Sequence, residues 1–182
     1  MKKEWVPIMI RTGKLKMKFM DLLTHYMIVI FLLIPFVLNI YSFIQKHILH
    51  NYNGVRSPEE MFKVTLPFAI VAGVFYVIQK NRLKLITIET DLSKDKVEEI
   101  IEQIVKELKW YPEIINKEIL IFKTYPNWNT GSWGEQITII FDNSKILVNS
   151  ICDPEKKASI VSMGRNKENI NTLIEKFKTA SS

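Results

Sequence analysis

The segment Tyr125-Pro126-Asn127-Trp128-Asn129-Thr130-Gly131-Ser132-Trp133-Gly134 sets two tryptophans five residues apart among glycines and small polar residues. An indole has a large apolar body and one N–H donor, so it settles where one side is apolar and the other wet. Three uses fit: packing over the end of a domain core, seating in a membrane interface, or stacking on a ligand. A second stretch, Ser162-Met163-Gly164-Arg165-Asn166-Lys167, runs from an apolar segment into a helix. Free N–H groups at a helix start, with Arg165 and Lys167 beside them, suit an anion or a lipid phosphate. An ordinary Asn166 cap with surface charges accounts for the same residues. The longer glycine-rich loop ending in Gly-Lys-Ser/Thr that nucleotide hydrolases use is missing. Trp128, Trp133, Arg165 and Lys167 are the candidate ligand or lipid contacts.

Nucleophilic and metal chemistry find little support. A catalytic thiol needs a neighbouring base, most often histidine. The single cysteine, Cys152, lies in a region, residues 80–182, that has no histidine. It also excludes an intramolecular disulfide, which fits a reducing compartment. His47 and His50 are three apart and would share a helix face. With Glu59 or Glu60 they would make a partial metal site, but no third ligand has a defined spacing. No catalytic residue, cofactor or metal is therefore expected, and an enzyme is the least supported class.

The elements that position these residues begin with a hairpin. Residues 22–45 carry no Asp, Glu, Lys or Arg, and neither do residues 64–79. At about 1.5 Å per residue the first run reaches roughly 36 Å, enough to span a hydrocarbon core of about 30 Å. The second gives about 24 Å, extended by Met61 and Phe62 with Lys63 snorkelling. The predicted spans are 22–45 and 62–79, with loop 46–61 between them, in a hairpin covering 22–79. Ala69 and Gly73, four apart, have the spacing that lets helix backbones approach. Pro35 predicts a kink, and Asn39 a bond to the second helix or to another copy. Lys and Arg concentrate on the flanks: residues 1–25 hold six against two acids, and Lys80, Arg82 and Lys84 follow the second run. Both termini are thus expected on the cytoplasmic side. Richness in Ile, Lys and Asn suits an AT-rich bacterial genome, making the inner membrane the expected location.

Residues 80–182 hold sixteen Lys and Arg against fifteen acids. A nearly neutral domain without a basic stripe argues against nucleic acid as its ligand. Strands are predicted at 83–89, 118–124, 136–141, 146–151 and 158–163. Helices are predicted after Ser93, with Val97, Ile100, Ile101, Ile104 and Leu108 on one face, and after Asn166, with Ile170, Leu173, Ile174 and Phe177. The fold class is α+β: an antiparallel sheet of about five strands with two helices on one face, in the order β-α-β-β-β-β-α. In topology alone this resembles the helix-grip and TATA-binding-like folds. No motif of either is present, so no function comes with the resemblance.

Alternation puts Ile137, Ile139, Phe141, Ile146 and Val148 toward the helices. Gln136, Thr138, Ile140, Leu147, Asn149 and Ser159 line the opposite face, which could stay solvated, receive the N-terminal arm, or pair with a second copy. In the basic arm, residues 1–21, Lys14-Leu15-Lys16-Met17-Lys18-Phe19 alternates strictly. That predicts strands joining the sheet, with a lysine face on lipid as the alternative. The expected protein is a membrane-anchored, non-enzymatic interaction or sensory module. The alternative is a tethered domain binding lipid headgroups or a small ligand. Expected partners are the bilayer and a second copy or another protein.

Overall fold

The computed structural model describes residues 3–127, 133–143, 145–159 and 161–180. After a 3-10 turn at Lys3–Trp5 come α1 (Val6–Thr12), α2 (Phe19–His47) and α3 (Pro58–Arg82). Then follow β1 (Ile86–Glu89), α4 (Lys94–Glu107), β2 (Tyr111–Ile115), β3 (Ile119–Lys123), β4 (Glu135–Asp142), β5 (Lys145–Cys152) and α5 (Arg165–Ala180). The fold is α+β, with a five-stranded antiparallel sheet in the order β1-β5-β4-β3-β2. Both α2 and α3 are long and apolar enough to cross a membrane.

Residues α2 and α3 share explain their pairing. The buried residues of α3 are Pro58, Thr65, Ala72 and Gln79, a strict repeat of seven. Such a repeat keeps one seam in contact when two helices wrap with a left-handed twist. Asn39 Nδ2 lies 3.4 Å from Thr65 Oγ1. At the next polar layer His25 Nε2 meets the Gln79 carbonyl at 3.1 Å, and Gln79 Nε2 donates to the His25 carbonyl at 2.8 Å. At the far end Lys46 pairs with Glu59 at 2.7 Å. The close approach is at Ala72, which is fully buried, rather than at Gly73, whose added Cβ would meet open space. Ser57 and Pro58, a turn signal in sequence, start α3 as cap and first helical residue. Ser57 Oγ accepts from the Glu60 N–H at 3.3 Å, an arrangement that uses proline where no N–H is needed.

The sheet has a core on each face. Toward α4 and α5 lie Leu120, Phe122, Ile137, Ile139, Ile146 and Val148, against Val97, Ile101, Ile104, Leu173 and Phe177. The predicted inward set thus holds, and Ser93 caps α4 by accepting from the Lys96 N–H at 3.4 Å. The opposite face receives the arm. Val6 and Met9 of α1, with Leu15, cover Ile121, Ile140, Leu147 and Ile151.

The arm arrives in a different form from the strands predicted. Residues 6–12 are helical because Val6 and Met9, three apart, set one face on the apolar sheet. Gly13 closes the helix at φ 60°, its N–H donating to the Met9 carbonyl at 2.9 Å. Of the alternating stretch, only Lys14 makes a bridge, to Lys84. Leu15 and Met17 still use the alternation, turning toward the sheet.

Two strand positions differ. Tyr111–Ile115, which no predicted strand covers, is a strand although it contains Pro112. It lies at the sheet edge with an irregularity between Pro112 and Ile114, where a proline leaves no ladder bond unmade. Described residues of 158–163 form no strand. Both edges of β5 are already taken, by β1 and β4. The last helix starts at Arg165, two residues earlier than predicted, and Asn166 lies inside it. Ser162 Oγ takes the capping role, accepting from the Asn166 N–H at 3.4 Å.

Candidate functional site

The charged and polar residues of the domain gather at one end of the sheet, where β3 finishes, β4 begins and β5 finishes. The same end meets the foot of the hairpin. Asn149, buried on β5, donates from Nδ2 to the carbonyls of Arg82 at 2.7 Å and Lys84 at 2.8 Å. Gln79 Nε2 also donates to the Ser159 carbonyl at 3.2 Å. Side chains from the sheet thus hold the chain as it leaves α3.

Strand alternation splits the polar residues between the two faces. On the arm face Lys123 is enclosed by three carboxylates: Glu155 at 2.5 Å, Glu113 at 2.9 Å and Asp153 at 3.4 Å. The Lys123 side chain is 7% exposed and that of Asp153 0%, while those of Glu113 and Glu155 are 34% and 42% exposed, so a buried pair is capped by two carboxylates that reach water. Burial opposes the charge on Lys123, but Glu155, Glu113 and Asp153 outweigh it and hold the ammonium above the usual lysine range. Lys123 in turn holds the Glu155 carboxyl below the usual carboxylate range. Lys18, at the start of α2, reaches Glu155 at 3.9 Å, so the cluster also borders the hairpin.

On the helix face Thr124 and Glu135 are reciprocally bonded. The Thr124 hydroxyl donates to the Glu135 carboxylate at 2.5 Å, and the Glu135 N–H donates to that hydroxyl at 2.8 Å. Arg165 Nε lies 3.9 Å from the same carboxylate, and Arg165 Nη1 lies 3.4 Å from Glu168. Lys156 donates to the Thr124 carbonyl at 2.9 Å and to the Tyr111 hydroxyl at 3.2 Å. Gly134, at φ +105°, is required here: a Cβ would stand 2.7 Å from the Thr124 carbonyl oxygen and 2.9 Å from Lys156 Nζ.

Of the four candidate contacts three are described, and each is engaged differently. Arg165 is committed to Glu135 and Glu168, while Lys167 stands exposed on α5. Trp128 lies outside the described residues. Trp133 is at the hairpin-proximal end, and its cation is Lys157, whose Nζ sits 3.7 Å above the indole centroid. Lys157 carried no motif; only the fold brings it to the ring. His47 bonds Glu59 at 2.7 Å, and no group of metal-ligating side chains occurs among the described residues.

Cys152 faces α5. Asn166 Nδ2 lies 3.9 Å from its sulfur, which lies 3.8 Å from the Val161 carbonyl. Burial pushes the thiol above its usual range, and the Ser159 hydroxyl offsets this in part. The thiolate is the reacting form. Alkylation of the folded protein at neutral pH is therefore expected to run several-fold slower than in denaturant, as time-resolved maleimide labelling would show.

A cleft of about 450 Å³ opens between α4 and the β2–β3 edge, floored by Ile101, Val105, Leu120, Phe122 and Phe141. Its size lies within the usual range for small-molecule sites, about 300–1,000 Å³. Lys94, Lys106 and Lys117 stand on its rim beside Glu98 and Glu102. Compared with known proteins, the chain matches no family model and no curated sequence.

Proposed function

We propose that this chain is a two-pass membrane protein of the non-enzymatic interaction or sensory class, with its α+β domain on the cytoplasmic side beside both termini. The carrying observation is the foot of the hairpin. Asn149 bonds the backbone on both sides of Leu83, and Gln79 bonds Ser159. A flexible tether would need neither. Helix and sheet so joined transmit displacement in either direction, as an anchored sensor requires.

The outward faces of α2 and α3 support insertion. Phe31, Val37, Leu38, Ile70 and Val77 are all exposed, and side chains of this kind are stable outward only against lipid or protein. The basic flanks favour the cytoplasmic orientation and a bacterial inner membrane. Cross-linking in native membranes should then recover a second copy or a protein partner. Monomers alone, with no partner recovered, would sink the interaction reading, and labelling of introduced cysteines in loop and terminus tests the orientation.

Within the bilayer the Asn39–Thr65 contact is expected to contribute modestly. A double-mutant cycle with Asn39→Leu and Thr65→Val should give a coupling of about 0.6 kcal/mol, with about 1.7 kcal/mol as the upper bound for such bonds. The reference state within lipid also finds partners for these groups.

The cleft under α4 favours a second reading, a tethered domain that binds a small apolar ligand. Val105→Trp would fill the cleft. Loss of 1-anilinonaphthalene-8-sulfonate binding in that variant, with the fold retained, is the expected result. Unchanged binding removes the cleft from consideration.

A further inference from the structure

The sheet end nearest the hairpin is apolar on its outside as well as charged within. Outside α2, α3 and the loop joining them, six large apolar or aromatic side chains are exposed among the described residues: Ile86, Ile115, Tyr125, Trp133, Val161 and Met163. Four of the six stand at this end, with Tyr125 68%, Trp133 39%, Val161 52% and Met163 63% exposed. Tyr125 follows the last residues of β3, Trp133 precedes β4, and Val161 and Met163 lie just beyond Ser159, which Gln79 of α3 holds. Solvent exposure of four such groups at one end costs free energy that dispersal around the domain would not reduce. Their position beside an apolar hairpin gives them one occupant in common.

We infer that these four side chains form a collar that seats on the headgroup layer of the bilayer around the hairpin's foot, with Lys157 supplying contact to anionic lipid. The inference rests on the membrane-spanning reading of α2 and α3. Trp and Tyr favour the interface because an apolar ring and a polar edge are both accommodated there. The Lys157 ammonium stacks 3.7 Å from the Trp133 ring. Ring and cation therefore arrive at the surface as one unit, the ring toward acyl chains and the charge toward phosphate. One lysine near an anionic surface is too weakly attracted to bind a domain alone but biases one already anchored nearby. Phe19 and Met20, exposed at the start of α2, extend the same apolar belt onto the hairpin. The collar makes the domain's attitude to the bilayer a property of its surface as well as of its tether.

The test uses the full chain, with Cys152→Ala removing the native thiol. Single cysteines at Val161→Cys, Tyr125→Cys, Ile115→Cys and Val74→Cys carry an environment-sensitive nitrobenzoxadiazole label. Each is reconstituted into vesicles of mixed zwitterionic and anionic phospholipid. Circular dichroism checks each fold, and Met163→Cys replaces Val161→Cys or Tyr125→Cys if either fails to fold. Labels at 161 and 125 should be quenched several-fold more by headgroup spin-labelled lipid than the label at 115. Adding Lys157→Glu should reduce that difference in anionic vesicles. Equal quenching at 161, 125 and 115, while chain-labelled lipid quenches position 74, overturns the collar and leaves the hairpin reading standing. Absence of quenching at 74 overturns the hairpin reading and the collar with it.

Discussion

Lys123→Met is expected to destabilise the domain by about 3 kcal/mol, the low end of the cost of removing one partner of a buried ion pair, because Asp153 is buried while Glu113 and Glu155 reach water. The substitution keeps the length and apolar stem of the side chain, so packing changes little. Glu155, Glu113 and Asp153 lose the one ammonium they share. Asp153 is fully buried and keeps only Lys156, at 4.0 Å, as a weaker partner. The pH dependence separates this account from a simple loss of packing. In the wild type the Glu155 carboxyl is held below its usual range, so its contribution is complete above about pH 4–5 and is lost as pH falls through the lowered value. Lys123 is held above its usual range. Its contribution is complete below about pH 10 and is lost as pH rises through the raised value. The variant should behave in the opposite sense on the acid side. Protonating the orphaned carboxylates relieves their repulsion, so the deficit against wild type should shrink from pH 7 to pH 4–5. Urea midpoints in detergent across that range measure it. A deficit that stays constant would mean the ion cluster is not the cause.

Asn149→Leu is expected to cost about 1–3 kcal/mol, because it leaves the Arg82 and Lys84 carbonyls without their donor. Leucine nearly matches asparagine in shape. Asn149→Asp should be worse, since a carboxylate would face two carbonyl oxygens. Thermal unfolding followed by near-ultraviolet circular dichroism gives the stabilities. Proteolysis gives the local effect: the chain between Arg82 and Ile86 should become cleavable before the domain unfolds. If both variants lose stability equally and the junction stays protected, the side chain acts in packing rather than as a clasp.

The parts of the fold legible in the sequence are those set by local pattern. Two charge-free runs mark the hairpin, and the alternation of β4 and β5 assigns Ile137, Ile139 and Val148 to one face and Ile140 and Leu147 to the other. In β4 and β5 each face has its own apolar cover, α4 and α5 on one side and the arm on the other, so the register is specified at every position. The parts not legible depend on what lies next to a segment. Residues 158–163 have the composition of a strand, but β5, the strand they would return along, is already paired on both sides by β1 and β4. Residues 111–115 contain a proline yet lie on an edge that tolerates it. The stretch from Lys14 alternates like a strand but makes a single bridge, and it is residues 6–12 ahead of it that cover the apolar sheet face, as a helix. The ion cluster was the least visible. Glu113, Lys123 and Asp153 share no spacing, and strand register alone brings them together. Trp133 was singled out by its chemistry, whereas Lys157, which completes it, was one lysine among many.

The seven-residue seam of the hairpin bears on how it can move. His25 and Asn39 are fourteen residues apart, and so are Gln79 and Thr65. Both polar layers are therefore satisfied at the same offset. Sliding α3 past α2 by one helical turn, about 5.4 Å, would part both layers at once and bring neither to a new match. The pair behaves as a keyed joint: sliding is stepwise and penalised at every step, while tilting about the seam breaks no layer. A displacement arriving at the far loop would reach β5 as a swing of the two helices together, pivoting on Asn149 and Gln79, and not as a piston stroke of one.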